Sequence, residues 1–133
     1  MIGLNTELEQ REAAGNPVRI GLIGAGQMGT DVVATTRMMK GVRIVITVDI
    51  EIERAINAYK IADIDGEVIV VETAAQADQA VAAGKLVAAR DYRIITDMKN
   101  VDVMLESTGV PEVGARAAIL AARHGQQLAM MNV

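Results

Sequence analysis

The segment Gly24-Ala25-Gly26-Gln27-Met28-Gly29 follows directly on an apolar run, Val18 to Ile23, and opens an amphipathic stretch, Gln27 to Lys40. A second apolar run, Arg43 to Val48, then ends on an acid, Asp49, about 20 residues past Gly29. Strand, glycine turn, helix, strand and terminal acid in this order describe a βαβ unit, and each glycine has a separate physical task. Gly24 lets the chain turn sharply out of the first strand. Gly26, without a side chain, lets a phosphate group approach the backbone. Gly29 lets the helix pack closely on the sheet.

The N–H groups of the first helical turn, near Gln27 and Met28, face such an anion with the positive end of the helix dipole. Asp49 stands where a carboxylate accepts hydrogen bonds from ribose hydroxyls. Together these features form a dinucleotide-binding fingerprint. They predict an α/β chain of the Rossmann type, three layers around a mostly parallel sheet, with NAD or NADP as cofactor. The competing reading, a tight βα turn with no ligand, accounts for the glycines but not for their agreement with strand, helix and acid.

Composition narrows the classes further. A chain of 133 residues suits one domain with a real core. It is 51% hydrophobic, yet it has no Phe, no Trp and only two Tyr. Its core must therefore be Val, Ile, Leu, Met and Ala, the usual filling of a parallel sheet flanked by helices. Scarce aromatics leave no stacking platform for single-stranded nucleic acid. The net charge of -4 argues against nucleic-acid and anionic-membrane partners. Absence of cysteine excludes disulfides, thiolate metal sites and a cysteine nucleophile. No apolar run reaches the ~18 residues of a membrane span. There is no basic segment followed by an apolar one at the N-terminus, so a cytoplasmic location is expected.

Along the chain, Asn5 to Gln10 begin a short helix that stops at Gly15, and Pro17 separates it from the first strand. Residues 1–16 thus read as a helical extension and 17–133 as the dinucleotide-binding domain. Met28, Val32, Thr35 and Met39 share one predicted helical face, with Gly41 as C-terminal cap. A helix over Glu51 to Tyr59, a loop over Asp63 to Gly66, a helix over Ala74 to Ala83, and short strands over Val68 to Val71 and Leu86 to Ala89 follow. Val101 to Glu106 read as a strand, Glu112 to His124 as a helix and Gln127 to Val133 as a strand. Met38, Met39, Met130 and Met131 are expected in the core, and Arg11, Arg37, Arg43 and Arg54 on solvated faces. His124 sits in a last helical turn, where the dipole favours a cation. A chain that stops inside a strand reads as the N-terminal part of a longer protein, cut before a substrate domain.

Three stretches carry a resemblance: Ile23-Gly24-Ala25-Gly26-Gln27-Met28-Gly29, Val101-Asp102-Val103-Met104-Leu105-Glu106-Ser107-Thr108-Gly109, and His124-Gly125-Gln126-Gln127-Leu128-Ala129-Met130-Met131-Asn132. In these the chain resembles the nucleotide-binding domain of homoserine dehydrogenases and their relatives. Homoserine dehydrogenases commonly read Asn-Lys where this chain has Asn132-Val133. The form here is similar to a branch of homoserine-dehydrogenase-like oxidoreductases with a C-terminal SAF domain, which includes 1-deoxy-D-xylulose 5-phosphate reductoisomerase-like proteins that use NADPH. The resemblance implies a homo-oligomeric oxidoreductase whose small-molecule substrate and catalytic residues belong to a domain beyond residue 133.

The second stretch has a logic of its own. Ligands of open α/β sheets lie beyond the carboxyl ends of the strands, where Ser107, Thr108 and Gly109 fall. Their small side chains and free amides would border the nicotinamide and its ribose; otherwise they form an ordinary βα loop with Pro111 in the first helical turn. Asn132 either orders the nicotinamide end or finishes a strand. Cofactor choice rests on two opposed arguments. Asp49 accepts the ribose hydroxyls of NAD and repels the 2′-phosphate of NADP, whereas the resemblance and Arg54 point to NADP; the residues lean to NAD. A stand-alone module that senses a nucleotide and regulates a partner is the alternative function.

Overall fold

The computed structural model describes residues 3–131. The chain runs α1 (Leu4–Ala13), β1 (Val18–Ile23), α2 (Gln27–Arg37), β2 (Val42–Val48), α3 (Ile52–Ile61), β3 (Val68–Val70), α4 (Ala74–Ala82), β4 (Leu86–Ala89), α5 (Arg93–Asp97), β5 (Val103–Glu106), α6 (Pro111–Arg123) and β6 (Gln127–Met130). All six strands join one sheet in the order β3-β4-β2-β1-β5-β6, and every pair is parallel. Parallel neighbours need crossover connections, and the helices between the strands supply them. The expected three-layer α/β fold is thus present.

Alternation along the strands assigns the layers. Ile23, Ile46, Val48, Val87, Ala89 and Met104 face a core shared with Ala77, Ile95, Ala117 and Ala121 of α4, α5 and α6. Leu22 faces the other way, onto Val33 of α2 and Ala58 and Tyr59 of α3. Tyr59 is fully buried; its hydroxyl donates to the Val87 carbonyl at 2.7 Å, and burial pushes its ionisation well above the ordinary phenol range. No helix among the described residues is long and apolar enough to cross a membrane.

Several local expectations need correction. The buried face of α2 is Gly29, Thr30, Val33 and Thr36, one step round from the predicted set, and Met28 and Met39 are exposed. Gly29 fixes that phase, because it lies against the glycine turn. The four methionines expected in the core are surface residues. Met38 is 81% exposed and Met39 40%, both in the turn after α2; Met130 and Met131 lie on or just past β6, an edge strand with one neighbour. The helix α5, with Ile94 and Ile95 buried, has no counterpart among the elements expected from the sequence. The N-terminal helix α1 is tied into the domain. Leu8 is buried, and Glu12 accepts from the Gly41 amide at 2.7 Å and pairs with Arg43 at 2.6 Å.

Candidate cofactor-binding site

The sheet order places a crevice at the carboxyl end of β1. The chain leaves β1 toward β2 on one side, while β5 flanks it on the other, which is the topological switch point of an open α/β sheet. Gly24 and Gly29 are demanded by the turn there. Gly24 has φ +94°, and a Cβ on it would lie 2.8 Å from the Thr108 amide nitrogen. A Cβ on Gly29 would lie 1.9 Å from the Gly24 carbonyl oxygen. Gly26 differs from both. Its φ is -74°, open to any residue, and a Cβ would meet nothing within 4 Å.

Gly26 caps α2 without any side-chain hydrogen bond, and its carbonyl accepts the first helical bond from Thr30 at 2.9 Å. The amides of Gln27 and Met28 precede that bond, so neither has an acceptor within the helix, and both residues are exposed. Asp49 lies one residue past β2, half-buried. Its Oδ2 accepts from the Ala25 amide and its Oδ1 from the Glu51 amide, both at 2.9 Å. The acid therefore braces the glycine turn as well as facing the crevice.

The β5–α6 loop closes the other side, with the Ser107 and Thr108 amides already bonded and not free as expected. Ser107 is buried; its hydroxyl donates to the Gly24 carbonyl at 2.9 Å and its amide to the Ile23 carbonyl at 2.8 Å. The Thr108 amide donates to Glu106 Oε1 at 2.8 Å, and the Thr108 hydroxyl binds the same carboxylate. Ser107 thus holds the turn after β1, while Thr108 folds back onto Glu106 of its own segment. Gly109, with φ +70°, stays exposed. Asn132 lies outside the described residues.

Between these parts opens a cleft of about 210 Å³ with Ile23, Gly24, Gly26 and Val48 beneath, Asp49, Ile50, Arg54, Arg90 and Tyr92 along one side, and Thr108, Val110 and Val113 along the other. The lining holds one carboxylate and two guanidinium groups. Complete small-molecule pockets run to about 300–1,000 Å³, so the cleft suits part of a dinucleotide. Sequence reasoning missed Ile50, Arg90, Tyr92 and Val110. The available signal for Arg90 was its place immediately after Ala89, the end of β4. Among the described residues no group of His, Asp and Glu is arranged to hold a metal ion. His124, at the far end of α6, binds the Leu120 carbonyl through Nδ1 and approaches Asp97 at 3.4 Å.

No family profile and no curated protein matches the sequence. Solved structures do match. A probable dehydrogenase from Thermotoga maritima aligns with TM-score 0.63 at 18% identity, over 85% of this chain and 27% of its own. A myo-inositol dehydrogenase from Lactobacillus casei, in complex with NAD(H) and myo-inositol, aligns with TM-score 0.60 at 17% identity, over 86% of this chain and 28% of its own. A 3-ketoreductase variant from Actinomadura kijaniata, in complex with TDP-benzene and NADP, aligns with TM-score 0.57 at 16% identity, over 86% and 30%. This chain shares their Rossmann-type fold and spans less than a third of their length.

Proposed function

We propose that this chain is the NAD(P)-binding domain of an oxidoreductase. Gly26 carries the reading. Packing and backbone torsion explain Gly24 and Gly29, but nothing in the fold requires position 26 to lack a side chain. A pyrophosphate resting on the backbone does require it. Under this reading the Gln27 and Met28 amides bind the pyrophosphate, Asp49 accepts the adenosine ribose hydroxyls, and the 108–109 backbone borders the nicotinamide end. Gly24, Gly29 and Ser107 hold that geometry, and the sequence motif alone assigns Asn132 to cofactor binding. The cofactor supplies hydride chemistry; the chain binds and orients it. The dehydrogenase and the 3-ketoreductase of like fold, in complex with NAD(H) and NADP respectively, support this assignment.

The finer reading rests on the three sequence stretches that resemble homoserine dehydrogenases, and within them on the branch with reductoisomerase-like members. It assigns the small-molecule substrate to a further domain of a longer, cytoplasmic, homo-oligomeric protein. The test is calorimetric titration of NAD and NADP into wild type and Gly26→Val. The variant is expected to keep its circular dichroism spectrum and lose cofactor binding. Equal binding by both proteins contradicts the assignment.

A further inference from the structure

Cofactor choice in Rossmann-type domains is ordinarily read from the acid after the second strand, which here is Asp49. Two observations qualify that reading for this chain. Both Asp49 oxygens already accept backbone amides, from Ala25 and Glu51, so the acid is accounted for by the turn it braces. The same cleft also holds two guanidinium groups, and they are not equivalent. Arg54 is engaged by Glu51 at 3.0 Å. Arg90 forms no ion pair and no side-chain hydrogen bond among the described residues.

The sheet register explains how Arg90 reaches this place. Val48 pairs with Ala89, and the Asp49 amide donates to the Ala89 carbonyl at 3.0 Å. The ladder therefore ends with Asp49, one residue past β2, beside Arg90, one residue past β4. Both side chains line the cleft, yet they do not pair with each other. The Arg90 guanidinium keeps its donors for a ligand, and a phosphate monoester matches their fork and brings the opposite charge, which offsets the repulsion from the Asp49 carboxylate nearby.

We propose that Arg90 binds the 2′-phosphate of the adenosine ribose, so that the cleft takes NADP in preference to NAD. This rests on the dinucleotide reading above and adds a specificity residue to it, from β4 and not from β2. The test is titration of NAD and NADP into the 133-residue chain and into Arg90→Ala and Arg90→Lys, with circular dichroism to check folding. Wild type is expected to bind NADP more tightly than NAD. Arg90→Ala should weaken NADP about tenfold or more, as for loss of a charge-assisted pair, while changing NAD less than about threefold. Arg90→Lys should fall between, since it keeps the charge and loses the fork. Equal weakening of both cofactors, or a wild-type preference for NAD, overturns the proposal and leaves dinucleotide binding intact. Binding of neither cofactor to folded wild type overturns the dinucleotide reading itself, and this assignment with it.

Discussion

At the scale of single residues, three glycines of one motif answer to three different forces. A methyl group on Gly29 would collide with a carbonyl oxygen of the same turn, and neither backbone can retreat without breaking the turn or the helix start. Overpacking of this kind costs roughly 1–3 kcal/mol and sometimes more, and contact with backbone places Gly29→Ala at the upper end. At Gly26 an added methyl meets open space, so Gly26→Ala is expected to shift stability by less than about 1 kcal/mol, the scale of a changed N-cap. Denaturant titration of both variants checks the contrast; similar losses at the two positions would remove the reason for treating Gly26 as a ligand contact. Residue identity alone made the motif legible, because a need for positive φ or close approach is local. The division of labour within it was not legible. At Gly24 it depends on the Ser107–Thr108 loop, which is far away in sequence. The roles of Ser107 itself were hidden for the same reason, since its hydroxyl binds the Gly24 turn, which the sequence alone does not bring near it.

At the scale of elements, helices and strands with several turns or pairs were readable, and short or phase-ambiguous ones were not. The five residues of α5 are too few to show a period of 3.6. The inner face of α2 was misphased because Val32 and Val33 are adjacent and either row can carry the apolar stripe. β5 illustrates how an element is fixed at its start. Asp102 accepts from the Arg19 amide at 2.9 Å and from its guanidinium at 3.2 Å, while the Asp102 amide donates to the Arg19 carbonyl at 2.8 Å. The Arg19 side chain, its largest influence, holds the Asp102 carboxyl below the usual carboxylate range. A depressed carboxylate contributes stability above its ordinary titration range and loses it as pH falls through the folded-state value. Both side chains are about one-third exposed, which limits the pair to about 1 kcal/mol. Asp102→Asn should therefore be less stable than wild type by about that amount at pH 7, with the gap closing toward about pH 3. Urea unfolding at the two pH values measures it, and a gap that is unchanged in acid would show that the charge contributes nothing.

At the scale of the whole molecule, alternating apolar runs and turn residues were enough for an α/β chain, but not for the order β3-β4-β2-β1-β5-β6. Strand pairing is a long-range property, and it is what sets Arg90 beside Asp49. The assembled molecule also bounds what the chain does by itself. Hydride transfer to a carbonyl or from an alcohol needs a proton donor or acceptor within hydrogen-bond reach of the reacting oxygen. The cleft lining offers Asp49, whose oxygens brace the turn, Tyr92 on the same side as Asp49, and two guanidinium groups, which have no acceptor atom. The only histidine in the sequence, His124, lies past the end of α6, a 13-residue helix and so about 20 Å from the loop that begins it at the cleft. The chain is therefore expected to bind cofactor without turning substrate over. Saturating cofactor at about 100 times its Kd should stabilise the fold by about 2.7 kcal/mol, visible as a raised melting temperature. The same sample, supplied with NADH or NADPH and either aspartate semialdehyde or a deoxyxylulose phosphate, should show no loss of absorbance at the reduced nicotinamide band. Thermal stabilisation together with measurable oxidation by the pure chain would mean that an acid–base group outside the cleft lining, but within these 133 residues, serves the chemistry.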